Sequence, residues 1–285
     1  METRVSSSSK EVVIGGGRPT VLIGERINPT GKKKLAASLL AGDMQVVQQE
    51  AESQVKAGAD ILDVNVGAPG VDQVSLLPTA VQAVMETVDV PLCIDSDDPA
   101  ALEAALQVYK GKALVNSVSG EERSLTGVLP IIKEYGAAVI GLVQDDEGPP
   151  KDAERRVAVA HKIVERAEAM GIPREDVVID SLAFALGADT SSGLAVLETI
   201  RRIRDELGVN LTMGASNASF GMPDRDLLNN AFVVAVVCAG ATCLIVDAAK
   251  VRSTILAVDL VLGRDNYARR YTQAYRERLK AQPPS

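Results

Sequence analysis

PLCIDSDDPAALEAALQVYKGKALVNSVS, residues 91–119, is the stretch whose reading decides the fold. Its first residues are apolar up to a polar close at Asp95 and Ser96, the pattern of a strand buried on both faces of a parallel sheet. DPAALEAALQVYKG (98–111) then opens with an Asp-Pro start signal, continues at helical spacing and ends in Gly, the preferred residue just past a helix. ALVNSVS (113–119) returns to the strand pattern, again with a polar end. The same alternation runs in both directions from here. Strands read as VLIGER (21–26), ILDVNVG (61–67), AAVIGLV (137–143), DVVIDSL (176–182), NLTMGASN (210–217) and CLIVDA (243–248), with helical patterns such as 43–58, 151–171 and 194–208 between them. Eight strand-helix units predict an α/β fold, a closed (β/α)8 TIM barrel, rather than a doubly wound open sheet.

No Pro/Gly-rich linker interrupts residues 20–262, so the 285 residues read as one domain at 19–262. Residues 1–18, with Ser6 to Ser9 and Gly15 to Gly17, read as a flexible lead-in, and the glycines lack the strand and helix a phosphate loop requires. Residues 263–285 read as one further helix and tail, with aromatic residues at helical spacing suited to packing or an oligomer contact.

Composition removes several chemistries. A single His, His161 within a helical pattern, excludes multi-His metal sites and leaves little basis for Ser-His-Asp or Cys-His catalysis. A net charge of −8 argues against a general nucleic-acid or anionic-membrane binder. Cys93, Cys238 and Cys243 have no CxxC spacing and read as buried free thiols. With no long apolar span and no apolar leader at the start, the expected setting is cytoplasmic, without a membrane partner.

In such barrels the active site lies at the C-terminal ends of the strands. Polar residues recur there: Glu25, Arg26 and Asn28 after the first strand; Asp63 and Asn65; Asp95 and Ser96; Asn116 and Ser117; Asp180 and Ser181; Ser216 and Asn217; and Asp247. Gln144, Asp145 and Asp146 follow the fifth strand. Any one of them could simply cap the next helix or close a turn. Capping, however, needs no convergence on one centre. Four aspartates, Asp63, Asp95, Asp180 and Asp247, could hold a hard cation. A more economical use is recognition of a flat heterocycle, since a carboxylate accepts two parallel hydrogen bonds from adjacent N–H and amino groups. A pterin or guanine-like ring fits that inventory, and no metal is required.

GERIN (24–28), DVNVG (63–67), CIDS (93–96), VNS (115–117), IGL (140–142), IDSL (179–182) and GASNAS (214–219) together resemble the methyltetrahydrofolate:corrinoid protein methyltransferases, pterin-binding (β/α)8 barrels, over roughly residues 20–262. The resemblance implies transfer of a methyl group between N5 of tetrahydrofolate and the cobalt of a corrinoid (cobalamin) carried by a separate protein. GERINPTGKKKL is especially similar to members serving methyl catabolism. It also implies roles. Asp95, Asn116 and Asp180 would hydrogen-bond the pterin, Asn217 would lie near N5 as the catalytic amide, and Gly214 and Ser216 would line the same wall. Glu25, Asn28, Asp63, Asn65 and Ser96 would support them. GASNAS is followed by Phe220 where acetogenic relatives carry Gln, so no polar contact from that strand is implied beyond Asn217. Family members are commonly homodimers.

Two alternatives are carried forward. Dihydropteroate synthase is the other pterin barrel, but its NxTPDSFSDG and SxRxH patterns are absent, the latter replaced by AKVRSTI (249–255). A non-catalytic folate-binding subunit could retain the same pocket. The length leaves no room for a cobalamin module, which is why a corrinoid protein is expected as partner.

Overall fold

The computed structural model describes residues 1–189 and 191–281. The chain begins with a hairpin, β1 (Glu2–Ser6) and β2 (Glu11–Gly15). It then runs through β3 (Val21–Ile27), α1 (Lys33–Leu40), α2 (Gln45–Ala57), β4 (Ile61–Asn65), α3 (Gln73–Thr87), β5 (Leu92–Asp95), α4 (Pro99–Val108) and β6 (Leu114–Ser119). The second half comprises α5 (Glu122–Tyr135), β7 (Ala138–Leu142), α6 (Ala153–Ala169), β8 (Val177–Asp180), α7 (Ser192–Leu207), β9 (Asn210–Thr212), α8 (Arg225–Ala239), β10 (Cys243–Val246), α9 (Ala248–Val261) and α10 (Arg269–Ala281).

Strands β3 to β10 are parallel neighbours in chain order, and β10 pairs back onto β3. Between β9 and β10 the ring closes through Thr242 N–H donating to Leu211 O and Ile245 N–H to Met213 O, each at 3.0 Å. The architecture is the expected (β/α)8 barrel. Each strand buries both faces, which is why its sequence reads as one apolar run. Leu62, Leu92, Val115, Val139 and Ile179 point outward under the helices, whereas Ile61, Cys93, Leu114, Ile140 and Val178 fill the interior.

The lead-in expected at residues 1–18 is instead structured. Val5, Val12 and Ile14 of the hairpin join the interior cluster with Val21, Ile61, Leu114 and Cys243, so β1 and β2 plug the N-terminal mouth of the barrel. Asn210 Nδ2 holds the plug by donating to Thr3 Oγ1 at 2.9 Å and Ile14 O at 3.0 Å. The Ser and Gly runs hid this short period-2 pattern. Gly15 belongs to the plug: at φ +86° it lies so near Asn210 that a Cβ would sit 2.1 Å from Oδ1.

Two further readings change. The seventh barrel strand, read as 210–217, ends at Thr212, and Ala215–Ser219 form a 3-10 turn. Cys93 and Cys243 are buried thiols, but Cys238 is exposed on α8. On α10 Tyr275 and Leu279 lie outward, about half exposed at 50% and 51%, which is compatible with the expected oligomer contact. His161 lies on α6 with Nε2 3.2 Å from Glu206 Oε2 of α7, on the outer helical layer. No helix among the described residues is long and apolar enough to cross a membrane.

Ile14→Ala should destabilise the fold by about 2–5 kcal/mol, because it empties a fully buried position inside the barrel. Urea unfolding measures this; a cost below about 0.5 kcal/mol, the level of an ordinary surface change, would mean the hairpin is not part of the core.

Candidate active site

At the C-terminal ends of the strands the interior changes from apolar to polar. Asp63 and Asn65 occupy β4, Asp95 ends β5, Asn116 lies in β6 and Asp180 ends β8. Strand register sets Asn65 beside Asp95 and Asp95 beside Asn116, and Asn116 Nδ2 donates to Asp63 Oδ1 at 3.2 Å. Four of the expected site residues therefore form one cluster across three strands. A cavity of about 490 Å³ opens beside it, lined among others by Asp95, Ser96, Asn116, Ser117, Arg123 and Gln144.

Loss of water governs these carboxyls. Burial lifts Asp95 to about 6, opposed by polar contacts from Asn65 and Asp63. Burial, followed by the charge of Asp95, pushes Asp63 well above the usual carboxylate range. Asp180 is also lifted to about 6 by burial, against hydrogen bonds from the Leu182 and Gly214 backbones and the charge of Arg156. At neutral pH Asp95 and Asp180 are thus carboxylates able to accept N–H donors, and both lie near the point of protonation.

A second group borders the same end of the barrel. Ser216 Oγ donates to Glu25 Oε1 at 2.7 Å, and burial raises the Glu25 carboxyl. Arg26 joins Glu50 at 3.1 Å and Asp247 at 3.6 Å, while its backbone N–H donates to Gln54 Oε1 at 2.8 Å. Gly24 is required by that crossing, since a Cβ there would lie 2.5 Å from Gln54 Oε1. Asn217 is exposed on the 3-10 turn, and its side chain makes no hydrogen bond among the described residues. Gly214 precedes that turn, next to the Asn217 amide.

Some expected residues have local structural work. Asn28 Oδ1 accepts from Thr30 N–H at 3.0 Å, and Asn65 Oδ1 from Gly67 N–H at 2.7 Å. Ser96 Oγ donates to Gln73 Oε1 at 2.9 Å and accepts from Asp98 N–H at 3.1 Å. Asp247 caps α9. Asp145 is drawn aside by Arg155, 2.5 Å away. Among the described residues no three His, Cys, Asp or Glu side chains form a metal-holding group. Sequence reading passed over Arg123 at the cavity and Arg156 near Asp180, because both lie in helical patterns with nothing to separate them from surface arginines.

The family model described as "Pterin binding enzyme" matches residues 24–247. The chain is 32% identical to the methylcorrinoid:tetrahydrofolate methyltransferase of Eubacterium limosum, over 90% of this chain and 96% of that protein. It is 30% identical to the methionine synthase of Mycobacterium tuberculosis, over 92% of this chain but only 24% of that longer protein. Among solved structures, dihydropteroate synthase of Yersinia pestis in a sulfonamide drug complex superposes with a TM-score of 0.72 at 18% identity, covering 92% of this chain and 99% of that one. The dihydropteroate synthase of Thermus thermophilus gives 0.68 at 21% identity, covering 90% and 99%. At these identities the structural neighbours show the fold.

Asp180 is raised on folding from 3.8 to about 6, so its favourable contribution is present below about pH 4 and lost as pH rises through about 6. Asp180→Asn, which keeps an acceptor for Leu182 N–H, should therefore stabilise the protein at pH 8, by about 3 kcal/mol at most, and have little effect at pH 4. Denaturant unfolding at the two pH values checks this; an equal effect at both would contradict the assigned cause.

Proposed function

Because the chain belongs to the pterin binding enzyme family, and to the family of the Eubacterium limosum methyltransferase, we propose that it moves a methyl group between N5 of tetrahydrofolate and the corrinoid of a separate protein. The observation that carries this reading is the set of buried and half-buried carboxyls and amides, without ion pairs among the described residues, at one end of the barrel. Asp95 and Asp180 can each accept adjacent N–H and amino donors from the pterin edge, and Asn116, held by Asp63, can present the mixed donor and acceptor face of an amide. Glu25, Asn28, Asn65 and Ser96 brace the surrounding turns.

A methyl on a tertiary amine leaves with difficulty unless the nitrogen gains a proton or a strengthening hydrogen bond as the bond breaks. Asn217 is suited to that task, since its amide is exposed and uncommitted, while the neighbouring Ser216 is fixed by Glu25. Gly214 keeps the wall beside that amide low. The partner's cobalt supplies the nucleophile, or the methyl in the reverse direction, which is why no Ser, Cys or Lys of this chain need act as one.

The reading extends to a cytoplasmic role in methyl catabolism and to a homodimer. The exposed Tyr271, Tyr275 and Leu279 of α10 offer an apolar face for a second copy.

The test is to mix the protein with 5-methyltetrahydrofolate and a reduced corrinoid protein and follow cobalt methylation by absorbance. Asn217→Ala should retain folate affinity within about threefold and lose about 10²–10³ in transfer rate. Loss of binding with a normal saturated rate would refute the role given to Asn217. Tight binding by the wild type without any transfer would instead identify a non-catalytic folate-binding subunit, and condensation of a pterin with p-aminobenzoate would identify a dihydropteroate synthase-like enzyme.

A further inference from the structure

Arg156 of α6 is wholly buried, yet it forms no ion pair among the described residues. Its guanidinium reaches only carbonyls. Nε donates to Pro150 O at 2.9 Å, and Nη1 donates to Ser181 O at 3.2 Å and Leu182 O at 3.1 Å. Nη2 has no hydrogen-bond partner among the described residues, and the group lies 5.1 Å from the centre of the Phe184 ring. A buried arginine without a carboxylate is costly, so a purely structural origin leaves the choice of a charged side chain unexplained.

The carbonyls it grips belong to the turn that aims Asp180. Asp180 Oδ1 accepts from Leu182 N–H at 2.7 Å, and Leu182 adopts a left-handed φ of +59°, a conformation unfavourable for a branched side chain by roughly 1–3 kcal/mol. Two hydrogen bonds from one fixed guanidinium hold the residues on either side of that strained peptide. The same positive charge acts on the carboxyl of Asp180 and lowers it against burial.

We propose that Arg156 is a positioning residue for the pterin site: it locks the Asp180–Ser181–Leu182 turn so that the Asp180 carboxylate is presented, charged and correctly aimed, to the ligand's N–H donors. This rests on the folate reading above. The other groups facing the pair are Asp152, beside Arg156 at the start of α6, and Cys243 on β10, which burial pushes up to about 12 and so keeps neutral. Arg156 is therefore the cation that, with the backbone N–H groups of Leu182 and Gly214, opposes the effect of burial on Asp180.

Binding of 5-methyltetrahydrofolate by calorimetry, from pH 5 to 8, tests the proposal in the full chain. The wild type should lose affinity as pH drops through about 6, where Asp180 and Asp95 both take up protons, and only the Asp180 part of that loss should respond to Arg156. In Arg156→Met that midpoint should move up by about one pH unit, with affinity near pH 6.5 reduced about threefold and at pH 5 about tenfold. Arg156→Lys keeps a charge without the fork, so its midpoint should stay near the wild-type value while affinity falls at every pH. In an Asp180→Asn background, Arg156→Met should cost little further affinity.

An unchanged pH midpoint in a folded Arg156→Met protein, or full additivity with Asp180→Asn, overturns the proposal. If Arg156→Met does not fold, carboxyl NMR titration of Asp180 in Arg156→Lys decides, because a midpoint displaced upward there removes the charge argument. Failure of the wild type to bind methyltetrahydrofolate at any pH overturns the folate reading and this role with it, whereas normal binding with an indifferent Arg156 overturns this role alone.

Discussion

A carboxyl group that faces the inside of a parallel barrel has lost most of its water, and only oriented dipoles or a cation can replace it. Here the replacement is incomplete by construction. Arginines serve the structural carboxylates: Arg264 and Arg270 hold buried Asp259, 3.7 and 3.3 Å away, and Arg155 holds Asp145. Among the described residues Asp63, Asp95 and Asp180 receive no ion pair, only amides, backbone N–H groups, the Cys93 thiol and the contact between Asp63 and Asp95. Their accepting capacity remains open to a ligand that brings its own donors. An acidic protein with an acidic site is consistent on those terms, because the ligand edge to be bound is rich in N–H groups and not anionic.

The two ends of the barrel divide the work. At the N-terminal end the hairpin closes the interior with Val5, Val12 and Ile14, fastened through Asn210, so stability there comes from apolar packing. The opposite end is thereby relieved of closing the core. Inward positions on β4, β5, β6 and β8 can carry polar groups because the layer below them is already sealed. This separation of a packed base from a chemically equipped rim is what the barrel architecture permits.

Legibility followed the same division. Strands buried on both faces leave long apolar runs, and their polar ends mark the site, so the barrel and the positions of Asp63, Asp95, Asn116 and Asp180 could be read directly. The hairpin could not, because five-residue strands between Ser and Gly runs carry too little period-2 signal to outweigh the composition around them. The sequence carries no mark of the end of β9, since Met213 to Ala215 continue the apolar run up to the polar Ser216 and Asn217 while the backbone leaves the sheet. Arg156 was illegible for a different reason. Its meaning lies in the carbonyls of Ser181 and Leu182, 25 and 26 residues away, and no helical pattern records a contact of that range.

The early end of β9 has a consequence for the chemistry. Leaving the sheet at Thr212 lifts Ser216 and Asn217 onto a turn at the rim, clear of the depth at which Asp180 lies. That turn is nevertheless pinned on two sides: Ser216 Oγ reaches Glu25, and Arg225 of α8 donates to Ser216 O and Ser219 Oγ, both at 3.0 Å. The proposed transfer between a small ligand and a group carried by another protein would need the Asn217 amide at an open edge, where that protein can approach, yet held to within fractions of an ångström. Deep recognition and exposed chemistry therefore call for different supports. Buried strand ends provide the first, and a short turn anchored to neighbouring elements provides the second.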